Sequence, residues 1–129
     1  MNWVAGVVLL SLVEYIVFGA LVGRARGTYA VAAPAVTGHP LFERYFRVHQ
    51  NSLEQLIIFI PAVWLFGLYV SATGAAAVGA LFLVARVIYG VAYIGSPEQR
   101  GPGAVLTAMT EVLLVLGAFY GVVRSIAVS

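Results

Sequence analysis

Four long apolar runs, parted by short stretches of glycine, proline and charge, constrain this chain of 129 residues more than any other feature. The first runs from Trp3 to Val22 and is interrupted only by Ser11, Glu14 and Tyr15. The second begins at Leu41 and reaches Val70, the third covers Ala75 to Ile94, and the fourth Gly103 to Val123. About 20 helical residues, rising about 1.5 Å each, cross a hydrocarbon layer of about 30 Å. The connectors, Gly27 to Pro40, Ser71 to Gly74 and Gly95 to Pro102, carry the helix breakers. The pattern predicts an all-α, integral-membrane bundle of four helices, one domain over residues 1–129. The first run lacks a basic leader and a small-residue cleavage site, so it reads as a retained helix rather than a signal peptide.

Composition closes off the soluble alternative. Apolar residues make up 62 % and charged residues 9 %, against about 45–50 % and about 25 % in ordinary soluble domains. A body this small cannot hide that excess, because short chains bury a smaller share of their surface. The formal charge of +2 arises from seven Arg and five Glu, with no Lys and no Asp. Scattered in this way they make no basic face for nucleic acid. Cysteine is absent, which removes disulfides, thiolate metal sites and a protein thiol nucleophile together. No metal is expected.

Arginine placement orients the bundle. Arg24, Arg26, Arg44 and Arg47 surround the first connector, Arg86 and Arg100 flank the third, and the second connector is uncharged. Basic connectors stay in the cytoplasm, so the first and third face inward and both termini outward. The second helix, Phe42 to Val70, would measure roughly 43 Å, longer than the hydrocarbon layer. Its first turns therefore stand at the cytoplasmic surface, and Pro61 predicts a kink in the remainder. Gly19, Gly23 and Gly27 recur every fourth residue, as do Gly117 and Gly121, a spacing that lets helices in lipid approach closely.

Charged groups at membrane depth are costly and mark functional sites. In the second helix, with about 100° between residues, Asn51 lies about 40° and Glu54 about 20° from Arg47, one narrow stripe. His49 and Gln50 flank it, and Gln55 adjoins it. In the third helix Arg86, Tyr89 and Tyr93 share a face, which Arg100 joins only if the helix runs past Gly95 and Pro97. Guanidinium forks bind carboxylates bidentately and keep their charge when desolvated. Asn51 matches a peptide bond, and Glu54 accepts from an ammonium or amide. The set suits a small zwitterionic peptide with more than one carboxylate. An Arg beside a thiol on that peptide favours the thiolate.

The stretch Phe42-Glu43-Arg44-Tyr45-Phe46-Arg47-Val48-His49-Gln50-Asn51-Ser52-Leu53-Glu54, followed by Ala85-Arg86-Val87-Ile88-Tyr89-Gly90-Val91-Ala92-Tyr93 and then Arg100, resembles a signature of the MAPEG family. These are the membrane-associated proteins of eicosanoid and glutathione metabolism, microsomal glutathione transferases and leukotriene synthase among them. The resemblance covers Gly23 to Gly103. It implies a homotrimer with glutathione, as co-substrate, bound between subunits near the cytoplasmic surface. By that resemblance Arg47, Asn51 and Glu54 hold glutathione from one subunit. Arg26, His49, Arg86, Tyr89 and Tyr93 contact it from the other wall, and Arg100 stabilises its thiolate.

Departures narrow the activity. Gln55 stands where some eicosanoid-forming relatives have Tyr, His49 replaces a Gln of some members, and Ala25 parts Arg24 from Arg26. These changes favour a general glutathione transferase acting on lipophilic electrophiles delivered by the bilayer, with lipid hydroperoxide reduction compatible. The compact chain is similar to bacterial members, which places it in a bacterial inner membrane. A non-catalytic lipid-binding or scaffold protein on the same fold is the alternative, and a small transporter a third. Glu14 and Glu111, inside the first and fourth runs, read as structural rather than catalytic groups. His39 reads as a loop residue, and Trp3 and Trp64 as interface anchors or helix contacts.

Overall fold

The computed structural model describes all 129 residues. It contains helices α1 (Asn2–Tyr29), α2 (Pro40–Tyr69), α3 (Ala72–Gly95) and α4 (Gly101–Ala127), with a short 3-10 turn, Pro97–Arg100, ahead of α4. All four helices are long and apolar enough to cross a membrane. α2 and α3 form the middle of the bundle, with α1 packed on both from one side and α4 on both from the other. Consecutive helices run in opposite directions: Gly67, late in α2, abuts Met1 and Val4, and Gly103, early in α4, abuts Tyr89, late in α3; α2 and α4 therefore run parallel, Gly121 meeting Tyr69 and Val70.

Only 27 of 129 residues are buried, so most of the apolar side chains face outward, as a hydrocarbon solvent requires. Trp3, Ile16, Ile57, Val91 and Phe119 are among the exposed ones. Inside, Phe59 of α2 and Phe82 of α3 stack with ring centroids 3.8 Å apart. Val4 and Val7 of α1 and Leu114 of α4 close over the same cluster.

Helix ends depart from the hydropathy limits, and local chemistry explains each case. α1 continues seven residues beyond Val22, because Arg24, Arg26 and Thr28 are good enough helix formers once outside lipid. It ends at Ala30 in the left-handed region (φ 55), whose N–H bonds to the Arg26 carbonyl. His39 is more than a loop residue: its Nδ1 accepts from the Leu41 N–H at 3.1 Å and caps α2, and its ring stacks on Tyr29. Ser71 caps α3, its Oγ accepting from Gly74 N–H at 2.9 Å, so Ala72 to Gly74 form the first helical turn instead of a loop. Pro61 sits within an unbroken α2. α3 stops at Gly95, and Arg100 therefore belongs to the separate 3-10 turn.

The glycine repeats have different fates. A methyl group at Gly117 would strike the Phe66 ring, and one at Gly121 the Tyr69 carbonyl at 2.8 Å, so these two seat α4 on α2. Gly23 and Gly27 face open space within the subunit.

Candidate functional site

Arg86 is the one buried arginine, 3 % exposed, and all its hydrogen bonds go to neighbouring helices. Its Nη2 donates to Asn51 Oδ1 at 2.7 Å and to Ser52 Oγ at 3.2 Å, both on α2. Its Nη1 donates to Thr107 Oγ1 of α4 at 3.4 Å. The two hydroxyls are free to accept because each spends its own proton on a helix carbonyl, Ser52 on Val48 and Thr107 on Gly103. No protein atom accepts from Arg86 Nε. Glu14 of α1 and Glu111 of α4 both act on the guanidinium electrostatically. A guanidinium is a tolerable interior cation only with such partners.

A second polar pair lies beside it. The Gln55 amide, oriented with its nitrogen toward α4, donates to both Glu111 carboxylate oxygens at 2.8 Å. This satisfies a carboxylate 7 % exposed within the fourth span.

Further toward the third connector the Arg86 guanidinium lies 4.5 Å from the centre of the Tyr89 ring, an attractive cation–π arrangement. Tyr89 stacks on Tyr93 with centroids 5.7 Å apart. This sets the Arg86 guanidinium and the two tyrosine rings together near the end of α3. Gly103 makes this possible, since a methyl group there would meet the Tyr89 backbone N and Cα at 2.6 Å. Arg47, Glu54 and Arg100 are exposed on the subunit surface. Arg100 Nη1 donates to the Pro97 carbonyl at 2.9 Å, folding back on its own turn.

The other candidate residues stand on the α1 side. His49 stacks on Tyr15 with centroids 4.4 Å apart, in room left by Gly19, where a methyl group would lie 3.1 Å from Nε2. Arg26 Nη1 donates to the Ala35 carbonyl at 2.6 Å and the Val31 carbonyl at 3.4 Å. Its guanidinium lies over Phe42, 4.9 Å from the ring centre. The bundle thus joins Arg86 with Asn51 by a hydrogen bond and with Tyr89 and Tyr93 through their rings, while Arg47, Glu54 and Arg100 are exposed, Arg26 bonds to the first connector and His49 stacks on Tyr15. Within one subunit Arg86 stands on the same wall as Asn51. Sequence reasoning missed Ser52 and Thr107, small hydroxyls whose only signal is their presence in apolar helices, and the Gln55–Glu111 pair.

Fold and cluster together define a class: a small four-helix membrane protein that gathers guanidinium groups toward one face of the bundle. The MAPEG family model matches residues 4–120, and the chain belongs to that family. It is 41 % identical over 120 residues to an uncharacterized protein of Synechocystis sp., covering 93 % of this chain and 88 % of that one. It is 42 % identical over 117 residues to microsomal glutathione S-transferase 2 of Mus musculus, covering 88 % of this chain and 80 % of the relative. Leukotriene C4 synthase of Bos taurus is 33 % identical over 117 residues, with 91 % and 78 % covered.

Proposed function

We propose that this chain is a membrane glutathione transferase that holds glutathione as its thiolate and joins it to lipophilic electrophiles. The observation that carries the reading is the buried Arg86 guanidinium, held by Asn51, Ser52 and Thr107 and set over Tyr89 inside an apolar bundle. Glutathione has two carboxylates, an ammonium and a thiol, and each kind of group has a counterpart here. Arg47 suits a carboxylate, Asn51, oriented by Arg86, a peptide bond, and Glu54 the ammonium. Tyr89 and Tyr93 offer hydroxyls beside apolar walls. Arg100, exposed apart from its bond to the Pro97 carbonyl, is the group that faces the thiol. Each pKa unit by which a cation lowers a thiol corresponds to about 1.36 kcal/mol of preference for the thiolate. The thiolate sulfur forms the new S–C bond, the electron pair departs with the leaving group or passes into the acceptor, and the thiol proton goes to solvent. Holding both reactants at one membrane face supplies the proximity. Reduction of lipid hydroperoxides to alcohols, with two glutathione molecules oxidised to a disulfide and water released, uses the same thiolate.

The exposure of Arg47, Glu54 and Arg100 on a single chain supports a homotrimer in which a neighbouring subunit closes each site. The arginine distribution supports cytoplasmic first and third connectors and outward termini, and the likeness of so compact a chain to bacterial members supports a bacterial inner membrane.

The test is conjugation in lipid nanodiscs with glutathione and an aryl halide, alongside calorimetric binding of glutathione. Conjugate formed at a rate proportional to enzyme, and reduced in Arg47→Ala, supports the proposal. No heat of binding and no conjugate with an aryl halide, an epoxide or a lipid hydroperoxide contradicts it.

A further inference from the structure

The first span carries three polar residues, Ser11, Glu14 and Tyr15, in an otherwise apolar run. All three line one small, partly open recess, together with Phe18, Ser52, Leu56, Phe82 and Arg86. Their spacing of three and four residues puts them on one face of α1. The recess holds about 10 Å³ for the centre of a water-sized probe, about the room of one water molecule. Arg86 belongs to this lining, and its Nε, on a side chain only 3 % exposed, is the one buried side-chain polar atom without a partner.

We propose that one internal water bridges Arg86 Nε to the Glu14 carboxylate, and that Glu14 is thereby a positioning residue for the Arg86–Asn51 pair. The inference rests on reading that pair as part of the glutathione site. A buried water needs two to four polar partners, and the recess supplies three. Arg86 Nε–H donates to it, Glu14 accepts from it, and Ser11 Oγ accepts as well, since its own proton goes to the Val8 carbonyl at 2.6 Å. Glu111 is not the partner, because it does not line this recess; its carboxylate accepts from Gln55 instead.

The consequence is mechanical. Asn51 and Ser52 fix one edge of the Arg86 guanidinium and Thr107 another. The bridged Nε fixes the third, which locks the plane of the group. With Asn51 Oδ1 held by Nη2 at 2.7 Å, the Asn51 NH₂ is left to face a ligand. A residue of α1 that touches no substrate thus sets how well the site accepts glutathione.

The experiment uses the full chain in lipid bilayers, as wild type, Glu14→Leu, Glu14→Gln and Ser11→Val. Water-edited solid-state NMR of the arginine Nε–H signals reads the water directly, and glutathione kinetics read the positioning. Wild type is expected to transfer water magnetisation to the Arg86 Nε–H, Glu14→Gln to retain it, and Glu14→Leu to lose it. Glu14→Leu is expected to raise the glutathione KM about tenfold with kcat within about twofold, while Glu14→Gln stays near wild type. Ser11→Val keeps Glu14 but fills the recess, and is expected to behave as Glu14→Leu does. An unchanged NMR signal in Glu14→Leu overturns the bridge. A KM equal to wild type in both Glu14→Leu and Ser11→Val, with only the melting temperature moved, overturns the positioning role. If wild type binds no glutathione, the site reading fails by itself, and the NMR arm still decides the bridge.

Discussion

Arg86→Met removes the single buried guanidinium of the bundle while keeping an unbranched chain of similar reach. Three hydrogen bonds disappear, at 2.7, 3.2 and 3.4 Å. Side-chain hydrogen bonds inside membranes average about 0.6 kcal/mol, so the three together contribute about 2 kcal/mol. Against that, an arginine at the helix centre costs about 2.5–3.5 kcal/mol to insert, and methionine does not. The two effects nearly cancel, and the stability of the fold is expected to stay within about 1 kcal/mol of wild type, as for other buried charges exchanged for apolar groups. Ligand binding has no such compensation. Asn51 loses the charged donor that orients it toward the ligand. A charge-assisted hydrogen bond contributes about 1.5–3 kcal/mol, so glutathione affinity is expected to fall about 10- to 150-fold. Unfolding by a denaturing detergent, followed by tryptophan fluorescence, reads the first quantity, and calorimetry reads the second. A loss of more than about 3 kcal/mol in stability with unchanged affinity in the folded fraction would refute this reasoning and make Arg86 a purely structural strut.

Three further substitutions separate the parts of the account. Gly103→Ala sets a methyl group 2.6 Å from the Tyr89 backbone; α4 must retreat roughly 0.8 Å, at about 1–3 kcal/mol of stability, measured in the same detergent titration. Arg44→Ala removes the donor that closes the end of α3 through the Ile94 and Gly95 carbonyls, each at 3.1 Å, and is expected to lower stability by about 1 kcal/mol without changing glutathione affinity. Glu54→Ala, at an exposed position, is expected to leave the melting temperature unchanged and weaken glutathione binding about tenfold by calorimetry. Equal affinity would remove Glu54 from the site.

The four spans were legible because length and hydropathy alone define them. Their ends were not, because hydropathy reports lipid and caps report backbone geometry. Val22 ends the apolar run of α1, yet the helix persists to Tyr29 and stops at a left-handed Ala30. Ser71 looked like loop and proves to be a cap. The site was legible as two stripes, on α2 and α3, since helical periodicity puts Asn51 near Arg47 and Tyr89 near Arg86. Which way a stripe faces is a tertiary property. Arg86 turns inward to α2 and α4, a direction fixed by Ser52 and Thr107, and neither hydroxyl stands out in a sequence. Glu111 showed only as an oddity until Gln55, one turn from Asn51, supplied its partner.

The ultraviolet absorbance of the glutathione thiolate, followed through a titration of wild type and Arg100→Ala in nanodiscs, tests the central claim most directly. Wild type is expected to show bound thiolate at a pH where free glutathione is a thiol. Arg100→Ala is expected to keep much of the binding heat and lose that absorbance. No thiolate signal in saturated wild type, or an undiminished one in Arg100→Ala, would contradict the account.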